Sequence, residues 1–243
     1  MFEYKKLNDL AGWTAFLISL IVYSITVEDT ASFWDAGEFI AVSSKLEVPH
    51  PPGAPFYLLL GRFFSMFAFG VPENIAIAIN FLSVVSSAFT ILFLFWTITY
   101  LASKIIDPKL NNDNKVLVIL AGFIGSLSFT FTDSFWFSAV ESEVYAMSSF
   151  FTAFVFWAIL KWESLDDEKD QNKWIILIAY MMGLSIGVHL LNLVTIPALA
   201  LIIYFKKFKE VTFRGIVISL LLGLISVGLI VEGIIPGIPT LAN

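Results

Sequence analysis

Residues Trp174–Phe205 form a run of 32 without a formal charge. As one straight helix the run would be about 48 Å long at 1.5 Å per residue, too long for one membrane crossing. Five further stretches share its character: Leu10–Val27, Ile75–Leu101, Val116–Thr132, Val144–Leu160 and Phe213–Ile235. A helix crosses the hydrocarbon layer with about 20 apolar residues, and each of these is near that length. Asp133, Glu141 and Glu143 keep the third stretch apart from the fourth. Leu10–Val27 has no small-residue cleavage pattern behind it and is followed by acids, so it reads as a retained helix, not a removed signal.

Composition agrees. Hydrophobic residues are 58% of the 243, and charged residues 14%, against roughly 25% in a soluble domain. A soluble fold of this size lacks the polar surface to cover so much apolar side chain. Cys is absent, which excludes thiolate nucleophiles, iron–sulfur clusters and a disulfide scaffold. His50 and His189 are the two histidines, too few for a His cluster. The net charge of −6 argues against a nucleic-acid partner. The fold class expected is therefore all-α integral membrane.

Splitting Trp174–Phe205 into two short crossings that turn near His189–Asn192 gives seven crossings. The charge pattern supports the split. With Lys5 and Lys6 inside, all of the 14 Lys and Arg except Lys45 and Arg62 also fall inside, Lys109 included. That is the bias of the positive-inside rule. A single crossing over 174–205 would instead put Lys206, Lys207 and Lys209 outside. The reading is thus a cytoplasmic N-terminus, with Glu28, Asp29, Asp35, Glu38, Glu47, Glu73, Asp133, Glu141, Glu143 and Glu232 on the outer side. Chemistry belongs to that side. The inner loops carry no nucleotide-binding pattern.

The first outer loop, residues 28–74, is long for a helix connection, and such loops usually carry function or structure of their own. Phe33–Leu46 reads as an interfacial helix, with Asp35, Glu38 and Lys45 near one face and Phe33, Ala36, Phe39, Ile40 and Leu46 largely on the other. Pro49-His50-Pro51-Pro52-Gly53-Ala54-Pro55 then enforces a rigid break. Pro55–Phe69 resumes as a second interfacial helix, too short to span. Asp133–Glu143 is a second carboxylate-bearing loop on the same side, with Trp136 and Phe137 as interface aromatics.

Each candidate residue has a structural and a chemical reading. Ser32 and Asp35 have capping-box spacing, in which Asp35 only stabilises a first helical turn; alternatively Asp35 or Glu38 is a carboxylate serving as general base on an acceptor hydroxyl. Glu141 and Glu143, two apart on a helix, point in different directions, so one of them faces a site. His50 is a phosphate donor or a plain loop residue. Arg62 binds phosphate or snorkels toward headgroups. His189 and Asn192 hydrogen-bond a sugar or cap a broken helix. Gly183 and Gly187 read as a small-xxx-small packing face, and Pro197 as a kink.

Four segments together carry a resemblance: W-D-A-G-E-F at Trp34–Phe39, H-P-P-G-x-P at His50–Pro55, E-x-E-V-Y-A at Glu141–Ala146, and G-V-H-L-L-N at Gly187–Asn192. The combination resembles membrane glycosyltransferases of the GT-C fold, specifically the protein O-mannosyltransferase-like membrane proteins, over essentially the whole chain. More distantly it resembles aminoarabinose and protein mannosyl transferases, with His50-Pro51-Pro52 in the place of a basic residue followed by Pro-Pro. The resemblance implies a polyprenyl-phosphate sugar donor in the membrane lipid, inverting transfer to an acceptor protein or glycan, and no metal. It implies Asp35 as catalytic base with Glu143 beside it. Glu38, His50, Arg62, Glu141, Tyr145, His189 and Asn192 form the set expected around the substrates. Family chains continue with further spans and commonly a soluble outer region, so residues 1–243 correspond to an N-terminal portion ending at Asn243.

Two other functions compete. A transporter would place ionisable groups at mid-membrane on broken helices, whereas the acids here gather at one boundary; His189 is the exception. A non-catalytic envelope-assembly scaffold would use the acidic loop as a docking surface.

Overall fold

A computed structural model describes residues 4–108 and 111–242. Lys109, which enters the charge pattern, and Asn243 lie outside them. The described residues form eleven α-helices and no strand. The helices are α1 (Tyr4–Ile25), α2 (Ala36–Lys45), α3 (Pro55–Ser65), α4 (Ile75–Ile105), α5 (Asn112–Thr130), α6 (Asp133–Val140), α7 (Val144–Glu163), α8 (Glu168–Ile186), α9 (Ile196–Lys207), α10 (Phe213–Gly228) and α11 (Ile235–Ala242).

Helix α4 is the axis of the molecule, packed by α1, α5 and α7. It can be buried on most sides because its middle carries Ser83, Ser86, Ser87, Ala88 and Thr90, all buried. Small residues let helix backbones approach where water supplies no driving force. Gly122 of α5 does the same from the other side: a Cβ there would stand 2.6 Å from Thr99 Cγ2. Around α4, Tyr23, Ile91, Phe95 and Ile119 form one apolar cluster, and Phe39, Tyr57, Leu82 and Phe151 a second.

Six helical stretches are long and apolar enough to cross a membrane: Tyr4–Ile25, Pro72–Ile105, Asn112–Thr130, Val144–Glu163, Leu190–Lys207 and Phe213–Gly237. The protein is a multi-pass all-α membrane protein. The seventh expected crossing, α8, falls short because Glu168, Lys169, Asp170 and Lys173 occupy its first two turns. Its apolar part, 174–186, covers only about 20 Å. Yet α8 runs from one end of the bundle to the other. Gln171 Nε2 donates to the Leu165 carbonyl at its start, and the Gly187 carbonyl just past its end accepts from Phe56 N–H. The chain from 174 to 205 is therefore not one helix. It breaks at Gly187–His189, makes a 3-10 turn over Leu190–Thr195 and returns as α9.

Two expectations about this region change. Pro197 does not kink a helix; it occupies the first turn of α9, where its missing N–H costs nothing. Gly183 packs against nothing within 4 Å, so it and Gly187 do not make one packing face; only Gly187 is crowded, by Phe56. The last helix also differs. Beyond Gly228 it widens into a π turn over Leu229–Ile234 and continues to Ala242, past the expected end at Ile235.

The lysines mark one end of the bundle. Lys206 Nζ donates to the carbonyls of Trp162, Glu163 and Leu165 at 2.6–2.8 Å, closing the C-terminus of α7. Lys104 pairs with Glu163 at 3.2 Å. The opposite end carries residues 28–55, α6 with its following turn, and 187–190.

Candidate functional site

Helix α2 forms the floor of the first loop. It is shorter than the sequence suggests, because Trp34 precedes it in a left-handed conformation (φ 67°) and Leu46 ends it in another (φ 55°). Ala36, Phe39, Val42 and Ser43 face inward, while Phe33 and Leu46 do not join that face and stand exposed. The proline run folds back at once. Gly53 N–H donates to the His50 carbonyl at 3.0 Å, with Gly53 at φ 79° and a cis Pro51–Pro52 peptide. Helix α3 then packs on α2 and α4, with Tyr57 fully buried. Phe56 and Tyr57 N–H both donate to the Gly187 carbonyl, at 2.8 and 3.3 Å, which seats the proline turn on the α8 break.

The expected second loop is mostly helical, since Asp133–Val140 form α6. Its last turn delivers Glu141-Ser142-Glu143 against the first loop. Glu28 N–H donates to the Val140 carbonyl at 3.0 Å. Ser32 Oγ donates a short hydrogen bond to the Glu141 carboxylate. Asp35 N–H donates to Glu143 Oε1 at 3.2 Å. Ser32 is thus engaged with Glu141, and Asp35, at the N-cap of α2, makes no side-chain cap bond; the capping box does not form.

Asn80, buried in α4, locks the assembly. Its Nδ2 donates to the carbonyls of Glu28 at 2.6 Å and Thr30 at 3.1 Å, and its Oδ1 accepts from Ser142 Oγ. Sequence reasoning gave Ser32 a capping role in place of its bond to Glu141 and missed Asn80 and Ser142. Asn80 alone had a signal, an amide within an otherwise apolar spanning segment.

These contacts enclose a cleft of about 290 Å³. Asp35, Phe39, His50 and Gly53 line one wall, Glu143 and Tyr145 a second, and Gly187, His189 and Ile235 a third. Of the residues expected at a site, Asp35, His50, Glu143, Tyr145 and His189 meet here. Glu38 stands just behind, receiving both His50 N–H at 2.7 Å and His50 Nδ1 at 2.9 Å. Glu141 is buried beside the cleft on Ser32. Arg62 is elsewhere: its Nη1 donates to the Ser44 carbonyl at 2.6 Å and ties α3 to α2. Asn192 is also withdrawn from the cleft; its buried Oδ1 accepts from Ser148 and Thr152 hydroxyls at 3.0 and 2.8 Å. His189 Nδ1 accepts from Leu191 N–H at 3.1 Å, capping the 3-10 turn, while its ring lies 5.6 Å from that of Tyr145.

The electrostatics follow from burial. Glu143 is nearly inaccessible, and burial, reinforced by the Glu141 and Asp35 charges, pushes its carboxyl up to about 7. Glu141 is raised too, mainly by burial, despite the Ser32 hydrogen bond. His50 is raised by its hydrogen bond to Glu38, and Glu38 is lowered by the same bond. Burial lowers His189. The cleft therefore sets a carboxyl held near neutrality at Glu143 close to an imidazole biased toward the cation at His50. Asp35, Glu38 and His50 each offer one ligand atom, all within 4.8 Å of one another, a spacing a divalent cation would fit.

A bundle of apolar spanning helices, with two carboxylate-bearing loops folded over a cleft at one end, defines a multi-pass membrane protein whose polar site lies at a helix-end boundary. Residues 35–212 match the family described as the Protein O-mannosyl-transferase TMEM260 N-terminal domain, and the chain belongs to that family. It is 31% identical over 156 residues to Protein O-mannosyl-transferase tmem260 of Dictyostelium discoideum, covering 63% of this chain and 17% of that protein. It is 26% identical over 205 residues to Protein O-mannosyl-transferase TMEM260 of Mus musculus, covering 84% of this chain and 26% of that protein. The chain thus spans about a quarter or less of the length of these relatives. No solved structure matches it.

Proposed function

We propose that this chain is the donor-site portion of a membrane glycosyltransferase of the GT-C type. It moves a sugar, with inversion, from a polyprenyl-phosphate donor to a hydroxyl of an acceptor protein on the extracytoplasmic side. The observation that carries the reading is the meeting of Asp35 and Glu143, 108 residues apart in sequence, through the Asp35 N–H to Glu143 Oε1 bond in one cleft. The relatives are named as O-mannosyl-transferases, which makes mannose the sugar of first choice.

The surroundings suit a lipid-borne donor. An apolar groove of about 510 Å³ between α7, α8, α9 and α10 shares Ile186 with the cleft and ends at Ile234, next to the cleft's Ile235. A polyprenyl tail in that groove leaves its phosphate at the cleft mouth. His50, held by Glu38, faces that phosphate as donor. Asp35 accepts the proton of the acceptor hydroxyl as the new glycosidic bond forms and the bond from the anomeric carbon to the phosphate oxygen breaks. Such general-base assistance typically contributes about 10²–10⁴-fold. The leaving phosphate monoester is already stable as an anion, so the reaction needs no metal.

The test is sugar transfer by the complete protein carrying Asp35→Asn, with expression and membrane insertion verified. We expect turnover to fall by about 10²-fold or more, and wild-type turnover to persist under chelation. Near-normal turnover in Asp35→Asn removes Asp35 from the mechanism.

A further inference from the structure

The end of the bundle opposite the Asp35 cleft holds a second cavity, of about 250 Å³, that the transfer reaction does not use. It lies between the first turns of α1 and the last turns of α4 and α7. Lys5 and Lys161 flank it, exposed and in no ion pair with any described residue; Asp9 is the one acid among the described residues of its wall. Two buried polar atoms of residues that line it, Asn8 Oδ1 and Trp96 Nε1, have no hydrogen-bond partner among the described residues.

These two atoms share a wall. The indole nitrogen of Trp96 lies against Gly12, where a Cβ would approach it to 2.4 Å, and Asn8 is one helical turn before Gly12 on the same face of α1. A buried donor and acceptor normally find partners. Here a ligand carrying both an anion and a hydroxyl would satisfy them, with the two ammonium groups balancing its charge. The depth of the cavity narrows the ligand further. Lys5 begins one spanning helix and Lys161 ends another, so the cavity lies at headgroup level, ringed by Tyr and Trp as membrane boundaries are.

We propose that this cavity binds the headgroup of an anionic, hydroxyl-bearing glycerophospholipid in the leaflet opposite the transfer site. Lys5 and Lys161 contact the phosphate, and Trp96 and Asn8 the headgroup oxygens. The inference rests on the membrane fold and not on the glycosyltransferase reading.

Native mass spectrometry of the purified complete protein, titrated with phosphatidylglycerol or phosphatidylcholine of equal chain length, tests it. Phosphatidylglycerol should be retained roughly ten-fold better or more, given two lysines at the headgroup. Lys5→Gln with Lys161→Gln should abolish the preference. Trp96→Phe, which keeps the ring and removes the N–H, should weaken phosphatidylglycerol binding without changing that of phosphatidylcholine. The exposed pair Lys207→Gln with Lys209→Gln should leave the preference intact. Equal retention of both lipids by the wild type, or a preference that survives loss of Lys5 and Lys161, overturns the proposal. So does an equal loss in the Lys207, Lys209 variant, which indicates diffuse charge attraction. Displacement of the lipid by inorganic phosphate at matched concentration also overturns it, assigning the cavity to a free anion.

Discussion

His50 and Glu38 show how one hydrogen bond sets a charge. The Glu38 carboxylate takes both the backbone N–H and Nδ1 of His50, and this holds the imidazole above its usual range. Donor phosphate binding should therefore weaken as pH rises through the raised His50 value. In Glu38→Gln the loss should set in at lower pH, because the partner that favours the cation is gone. A pH series of donor KM in both proteins checks this; an unmoved profile excludes His50 as the titrating group. Glu143 gives a stability prediction with the opposite emphasis. Its folded value of about 7 lies above the value of an unfolded glutamate, so the folded state binds the extra proton. Its contribution is fully present below about pH 4.5 and is lost as pH rises through 7, by at most about 1.4 kcal/mol per pH unit. Thermal midpoints in detergent between pH 5 and 8 should fall less with pH in Glu143→Gln than in wild type. Trp34 belongs to this scale too. A bulky residue at φ 67° stores about 1–3 kcal/mol of strain, borne here because Ser32 and Asp35 on either side are tied to Glu141 and Glu143.

Between elements, the decisive joint is the Gly187 carbonyl, which receives Phe56 and Tyr57 N–H and so fixes the proline turn to the end of α8. A Cβ at Gly187 would stand 2.9 Å from Phe56 Cβ and 3.4 Å from Phe56 N. Gly187→Ala should destabilise the fold by about 1–3 kcal/mol, the usual cost of overpacking. It should also raise donor KM by widening the cleft. Unfolding in detergent and transfer kinetics read the two effects separately. The proline break and the two short helices on either side of it were legible from local sequence, since each depends on residues a few positions apart. Helix α6 was not, because its charged and aromatic residues read equally well as a boundary loop.

Across the whole molecule most of the lysines gather at one end of the bundle, some of them paired with acids there, and the carboxylate-lined cleft lies at the other. Lys206 on the α7 terminus and Lys104 on Glu163 define one end, the Asp35 cleft the other. In a chain without cysteine, single substitutions report the side directly. Lys45 and Lys207 are both exposed and stand at opposite ends of the bundle. Lys45→Cys in intact cells should label with an impermeant maleimide, and Lys207→Cys only after permeabilisation. The reverse pattern inverts the topology and with it the side of transfer.

The sequence by itself determined that the chain lives in a membrane and where its apolar spanning stretches lie. Uncharged runs and a proline-rich break act locally and leave few alternatives. Membership of the family was also legible, in four short motifs. The tertiary structure decided which motif residues share a cleft. Asp35, Glu143 and Tyr145 converge because Asn80, far from all of them in sequence, holds both loops by main-chain carbonyls and Ser142, and the Gly187 carbonyl ties the turn of His50 to the break that carries His189. Arg62 and Asn192 looked equivalent to them in sequence and are spent on helix packing instead. Such choices depend on long-range hydrogen bonds made only once α4 is buried, and no local pattern encodes which partner a buried amide or carboxylate will find.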